Sequence, residues 1–283
     1  MEDPGRCKKV RGKYFMMTEN KNTVFAGIIC LAVAVYLFTS CESLVDYSIF
    51  DADIDAEMLN HSAISKIPPV EGPLPDTLRF AVFSDVHDNY DEMAAAITSI
   101  NRQPGLKYVI CGGDITNSGL IKEFRWYADI MKRSHYPLIT LIGNHDHLAN
   151  GLMIYEKLFG NPNASFVYGQ YKFVLFNNTM LENYNKSPRY QWLRDELPDN
   201  GYTNILISHI PPFADEIDDL NRMVLNTITS SGNVKLCIHG HLHKFRETEY
   251  NGIHTVVAGD ISDREYYLVK LKDDRALVDI VKF

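Results

Sequence analysis

Leu78-Arg-Phe-Ala-Val-Phe83 runs straight into Ser84-Asp85-Val86-His87, and that junction repeats along the chain. A short apolar run bounded by polar residues reads as a largely buried strand. Tyr108–Cys111, Leu138–Ile142, Asn204–Ile207 and Lys235–Ile238 are further runs of this kind. Each ends in a polar cluster. Gly112-Gly113-Asp114-Ile115-Thr116-Asn117 follows the second run and Gly143-Asn144-His145-Asp146 the third. Ser208-His209-Ile210-Pro211-Pro212 follows the fourth, and His239-Gly240-His241-Leu242-His243 closes the fifth. In open α/β sheets ligands bind beyond the carboxyl ends of strands. The order therefore predicts one edge at which histidine, aspartate and asparagine meet, with glycines at 113, 143 and 240 turning the backbone just before them.

Between these strands, Asp91–Arg102, Ile121–Arg133, Gly151–Phe159, Tyr190–Leu197 and Ile217–Thr229 show helical spacing. Hairpins are predicted for Phe166–Tyr168 with Tyr171–Phe176, and for Phe245–Tyr250 with Ile253–Ala258 around the turn pair Asn251-Gly252. Tyr266–Leu271 and Ala276–Val281 read as a terminal hairpin. The result is a mixed α/β domain with added antiparallel pairs.

Taken singly, each polar cluster has an ordinary reading as a hydrogen-bonded turn. All of them in this order, each at a strand end, point to a dimetal centre. On these residues the sequence resembles the calcineurin-like metallophosphoesterase family, from Leu78 to the C-terminus. The resemblance implies a four-layer α/β/β/α sandwich. It implies that Asp85, His87 and His243 hold one metal, that Asn144, His209 and His241 hold a second, and that Asp114 bridges both.

The residue types suit that chemistry. A carboxylate can bridge two cations, while neutral imidazoles and an amide oxygen complete the shells without cancelling the positive potential. Two ions about 3.5–4 Å apart polarise a phosphoryl group and lower the pKa of a shared water. The family's expected nucleophile is accordingly a metal-bridged hydroxide. Mixed N/O ligation fits manganese, iron, zinc, cobalt or nickel without choosing among them. His145, beside Asn144, is placed to protonate the leaving oxygen or, alternatively, to orient phosphate. Asp146 reads as a brace for its loop.

Departures from relatives narrow the subfamily. Family protein phosphatases carry Gly-Asp-x-x-Asp-Arg-Gly, whereas here the run is Gly113-Asp114-Ile115-Thr116-Asn117-Ser118-Gly119. The phosphate-binding arginine is absent. Asn117 stands where an aspartate would pair with the catalytic histidine, so its side-chain amide is expected to contact His145. Lipid-A-pathway hydrolases of the family often carry arginine at the place of His145, and its DNA-repair nucleases need an extra domain. The compact layout is most similar to the bacterial cyclic-nucleotide phosphodiesterase group. Expected is a hydrolase of phosphomonoesters or phosphodiesters. The alternatives are an exported nuclease or nucleotidase, for which Tyr184, Lys186, Arg189 and Tyr190 are the best groove residues, and a non-catalytic envelope lipoprotein that keeps the fold as a binding module.

The N-terminus reads as an address. Val24 to Phe38 is apolar almost throughout and follows Arg6, Lys8, Lys9, Arg11, Lys13 and Lys21. That arrangement is typical of a signal peptide, and a comfortable spanning helix would need about 20 apolar residues. Phe38-Thr39-Ser40-Cys41 resembles a lipobox, with lipidation expected at Cys41 and an uncleaved membrane anchor as runner-up. Residues 1–41 are thus expected to be a leader, 42–76 an Asp- and Pro-rich tether, and 77–283 the folded domain of an exported, envelope-associated protein. Across 283 residues the composition, 46% hydrophobic and 23% charged, is that of a globular chain and excludes disorder or fibre. A net charge of −8 with no basic stripe speaks against specific nucleic-acid binding. It leaves a phosphorylated substrate open, because bound metals can supply positive charge locally. Of five cysteines, Cys111 and Cys237 lie in apolar runs and are expected as buried thiols.

Overall fold

Alternation along the first strand sets the layers. In β1 (Leu78–Phe83), Leu78, Phe80 and Val82 face one apolar cluster while Ala81 and Phe83 face another, as a period of two requires when both faces are buried. This computed structural model describes residues 51–283 apart from Glu71, Pro75, Asp199 and Asn200, and upstream of them only Ile29, Leu31 and Ser48. The chain divides into a unit ending at Ser48 and one running from Ile49 to Phe283, which holds both sheets and the helices packed on them. The expected leader and Cys41 fall outside the described residues, save that Ile29 and Leu31 are helical. Among the described residues no helix is long and apolar enough to cross a membrane.

The first sheet joins β1 in parallel to β2 (Val109–Cys111), and β2 in turn to β3 (Leu138–Thr140). The terminal hairpin, β10 (Glu265–Lys272) and β11 (Arg275–Lys282), adds to β1 antiparallel. In the second sheet β4 (Ala164–Tyr168) pairs antiparallel with β5 (Tyr171–Leu175). Parallel pairing then continues through β6 (Thr203–Ile207), β7 (Val234–His239) and β9 (Ile253–Val257), with β8 (Arg246–Tyr250) antiparallel at the edge. Asn251 and Gly252, at φ 52° and 74°, form the β8–β9 turn that the sequence pair requires.

The sheets pack face to face. Phe80, Ile110, Phe173, Leu175, Ile207 and Ile238 fill the space between them. Outside the first sheet lie α2 (Tyr90–Ile100), α3 (Ile121–Met131) and α4 (Gly151–Leu158), burying Met93, Phe124, Tyr127 and Leu158. Outside the second lie α5 (Tyr190–Glu196) and α6 (Asp219–Ser231), burying Leu193, Leu225 and Ile228. Asp218 caps α6 by accepting the Asn221 N–H at 2.9 Å. The expected four-layer α/β/β/α sandwich is the observed architecture. Cys111 and Cys237 are buried, and burial pushes both thiols up to about 12.

The expected tether is corrected from residue 51 onward. A helix, α1 (Leu59–Ser65), covers the open edge of the first sheet. Asn60 accepts the Thr140 N–H at 2.8 Å and donates to the Thr140 carbonyl at 2.7 Å, satisfying edge groups of β3. Ala63 and Ile67 enter the core between the sheets, and Ala52 and Ile54 pack on the helical layer. Aspartates and prolines gave the segment a solvated look, but Leu59, Ala63 and Ile67 recur at a spacing of four and give it one apolar face.

Candidate metal centre

The loops that leave β1 and β2 are laced before any side chain is considered. The Asp85 N–H donates to the Gly113 carbonyl at 3.0 Å and the His87 N–H to the Asp114 carbonyl at 2.9 Å. Asp146 ties in the loop after β3. Its buried Oδ2 accepts from the N–H groups of Ile115 (3.2 Å) and Gly143 (2.9 Å), and its Oδ1 from the N–H (2.9 Å) and hydroxyl (2.8 Å) of Thr116. It is the brace that the sequence suggested.

Backbone strain collects at the candidate ligands themselves. Asp85, His87, Asp114, His241 and His243 have φ of 53°, 48°, 51°, 73° and 54°. This left-handed conformation costs an L-residue about 1–2 kcal/mol, and such residues cluster at functional sites. The expected turning role of glycine holds at Gly113, with φ 105°. At Gly143 and Gly240 the reason is space. A Cβ at Gly143 would overlap the Asp114 carboxylate, and one at Gly240 would overlap Ser84 Oγ.

The structure brings all seven expected ligands together, in two groups that share Asp114. In the first, His87 Nε2 lies 3.3 Å from His243 Nε2 and 3.8 Å from Asp114 Oδ2, and His243 Nε2 lies 3.4 Å from Asp85 Oδ1. In the second, His209 Nε2 lies 3.1 Å from Asp114 Oδ2 and His241 Nδ1 lies 3.0 Å from Asn144 Oδ1. His209 is aimed by its other nitrogen, which donates to the Gly112 carbonyl at 2.8 Å. Its Nε2 is buried with no hydrogen-bond partner, since Asp114 lies near it but off the donor direction.

Charge follows from this packing. Burial raises Asp85 to about 6. Burial also opposes ionisation of Asp114, but His209, His145 and His87 outweigh it and hold that carboxyl below the usual range. Burial disfavours a charged His209, yet Asp114 and Asp85 push it up to about 10. Burial lowers the pKa of His87 and His241. The His87 and His243 nitrogens and the Asp85 and Asp114 oxygens converge to 3.3–3.8 Å, close enough for one cation to be shared among them. This donor set, with the orphaned His209 Nε2, fits a pair of cations sharing Asp114.

His145 sits at the rim of the site. Its N–H donates to Asp114 Oδ1 at 2.9 Å, and its ring meets that of His87 edge-on at 4.7 Å. Its Nδ1 lies 2.8 Å from the backbone carbonyl of Asn117. A carbonyl only accepts, so Nδ1 carries the proton and Nε2 is the ring's other working atom. The expected contact with the Asn117 side chain is therefore corrected: the main chain supplies it, and the Asn117 side chain is exposed.

Carboxylates outside the motifs stand behind the ligands. Glu216 Oε2 lies 3.3 Å from His241 Nε2, Glu182 Oε1 accepts from Asn144 Nδ2 at 3.3 Å, and Asp260 Oδ2 lies 3.8 Å from His243 Nδ1. Such partners fix the orientation of a metal-binding side chain. Glu182 and Glu216 occupy irregular loops and leave no spacing signal. Asp260 follows Gly259 shortly after β9, the same strand-Gly-Asp pattern as Gly113-Asp114, and that pattern could have found it.

Comparison with known proteins agrees with this geometry. The model of a family described as calcineurin-like phosphoesterase matches residues 78–245. A probable cyclic nucleotide phosphodiesterase of Xenorhabdus bovienii is 31% identical over 62 residues, which are 22% of this chain and 25% of that protein. The human serine/threonine-protein phosphatase CPPED1 is 25% identical over 201 residues, 60% of this chain and 63% of that protein. The chain thus spans less than two thirds of the length of these curated relatives. A dimetal phosphatase from Danio rerio shares the fold, with a TM-score of 0.57 and 14% identity over 74% of this chain and 98% of that one.

Proposed function

The chain belongs to the calcineurin-like phosphoesterase family, and from that premise we propose that it is a metal-dependent hydrolase of phosphomonoesters or phosphodiesters. The observation that carries the reading is the convergence of Asp85, His87, Asp114, His209, His241 and His243 into two groups with Asp114 in common. Asp85, His87 and His243 would hold one cation, Asn144, His209 and His241 the other, and Asp114 both. When bound, the pair supplies Lewis-acid charge for the phosphoryl oxygens and an activated water.

The chain's own residues do the rest. Gly112 aims His209, Glu216 and Glu182 steady His241 and Asn144, and Asp146 locks the loops that carry Asp114 and Asn144. His145 moves the proton. Its Nδ1–H is anchored on the Asn117 carbonyl, which orients the ring so that Nε2 can deliver a proton to the leaving oxygen. A panel of phosphomonoesters and phosphodiesters, assayed with added manganese, zinc, cobalt, nickel or iron and again after chelation, tests the proposal. Chelator-sensitive turnover of one ester class is expected, and no turnover with any metal would overturn it.

The N-terminal run and the box ending at Cys41 further support an exported, lipid-tethered protein. Replacing Cys41 by Ser should abolish acyl labelling and release the protein from membranes. Unchanged labelling would reject the tether.

A further inference from the structure

Beside the metal centre lies a cleft of about 410 Å³ that the catalytic reading leaves unused. It opens at the same edge of the second sheet. Because β4 runs antiparallel to β5, the residues before β4 meet those after β5, where the ligand-bearing loops emerge. Glu182, in the loop that walls the cleft, also holds Asn144.

The polar lining combines asparagine amides, hydroxyls and two cationic side chains. The side-chain oxygen of Asn161 accepts the Asn163 N–H at 2.9 Å, that of Asn163 the Asn177 N–H at 3.0 Å, and that of Asn177 the Thr179 N–H at 3.1 Å. Each of these side-chain oxygens is engaged by a backbone N–H, and that of Asn177 also lies 3.3 Å from His147 Nε2, so the NH₂ end of each amide is the one that can serve a ligand. Thr179 is buried, 1% exposed, and its hydroxyl has no hydrogen-bond partner. Lys186 and Arg189 also line the cleft, and neither forms an ion pair among the described residues. Glu156 is the one carboxylate in the lining. A buried hydroxyl without a partner is destabilising unless something occupies the space in front of it. Amide N–H groups, a hydroxyl and two cations together call for an oxygen-rich anion.

We propose that this cleft receives a second anionic group of the substrate, so that the preferred phosphoester carries a further phosphate or carboxylate besides the group attacked at the metal centre. The substrate part rests on the hydrolase reading, whereas the anion-binding part stands without it. This also gives Lys186 and Arg189 a role, as recognition residues for the second anionic group of a small ester.

Two measurements decide it. Calorimetric titration of the full-length, chelator-treated protein with inorganic phosphate, and separately with succinate, tests binding and tells the two anion chemistries apart. Binding of one of them should weaken about tenfold in the Lys186→Ala/Arg189→Ala variant, and about three- to tenfold in Thr179→Val. Thr179→Val should keep or raise the wild-type melting temperature, since no protein group bonds to the buried hydroxyl that it removes. Binding of neither anion, or equal affinity in the double variant, overturns the site. With metal-loaded enzyme, the ratio of kcat/KM for a bisphosphate or phosphate–carboxylate ester to that for p-nitrophenyl phosphate should fall about tenfold in the double variant, mainly through KM. It should stay unchanged in Lys122→Ala, a cation that lies over Trp126 instead. If the anion binds but the ratio does not move, the cleft does not read the substrate and that part is wrong. If no phosphoester is turned over at all, the hydrolase reading fails while the calorimetry still decides the site.

Discussion

Replacing Asp146 by asparagine changes no shape and one charge, and the hydrogen bonds around it set the cost. Four donors converge on two oxygens: Ile115 and Gly143 N–H on Oδ2, and the N–H and hydroxyl of Thr116 on Oδ1. Asparagine keeps one oxygen. Turned one way, its NH₂ opposes both Ile115 and Gly143. Turned the other way, it opposes the Thr116 N–H, although the Thr116 hydroxyl can rotate to accept. One or two buried N–H donors are stranded either way, at about 1–3 kcal/mol each. The expected loss of stability is about 1–6 kcal/mol, a large share of a normal folding free energy. The same bonds hold the backbone beside Asp114 and Asn144, so cation affinity should fall about 10- to 100-fold, as for other groups that support metal ligands. Urea unfolding of the chelated proteins gives the first number, and competitive titration with a chromogenic chelator gives the second. A stability change below about 0.5 kcal/mol, with unaltered cation affinity, would show that Asp146 does not brace the loops.

Other substitutions separate neighbouring roles. Gly240→Ala should abolish cation binding, because the new methyl group overlaps Ser84 and the Asp85 carboxylate, and an unimpaired variant would show that the close approach is not needed. His145→Ala should lower kcat on esters with poor leaving groups by about 10²- to 10⁴-fold and on p-nitrophenyl esters far less, and equal losses would assign His145 to phosphate orientation. Asn117→Ala should keep kcat/KM within about twofold, since the main-chain carbonyl survives the change, and a large loss would restore a side-chain role. Asn60→Ala should destabilise the domain by about 2–3 kcal/mol in urea unfolding through two lost bonds to Thr140, and no change would leave the segment before β1 as a mere tether.

The strands and their order were legible because each is a short apolar run closed by a polar cluster, and a two-residue period leaves little choice of face. The convergence of the candidate ligands was legible for the same reason: strand ends are where a parallel sheet presents side chains. What escaped was set by atoms instead of residue types. At Asn117 the side-chain amide is the conspicuous group, but the main-chain carbonyl makes the contact, and residue identity does not say which group of a residue turns inward. Gly143 and Gly240 carry the mark of a turn, although their neighbours' carboxylates and hydroxyl demand the space. Asn60 and Ile67 sit in a stretch coloured by aspartate and proline, and their burial depends on an unpaired edge of β3 that only the assembled sheet defines. Glu182 and Glu216 reach Asn144 and His241 from loops without periodicity, so only the folded chain brings them there.

Whether two cations share Asp114 is decided by titrating the chelator-stripped, full-length protein with manganese or cobalt and following bound metal and phosphoester hydrolysis together. About two ions per chain should bind, hydrolysis should rise with occupancy of the pair, and Asp114→Asn should lose both ions at once. A chain that binds one ion or none, hydrolyses its ester equally well when stripped, or keeps full occupancy in Asp114→Asn would contradict the dimetal assignment.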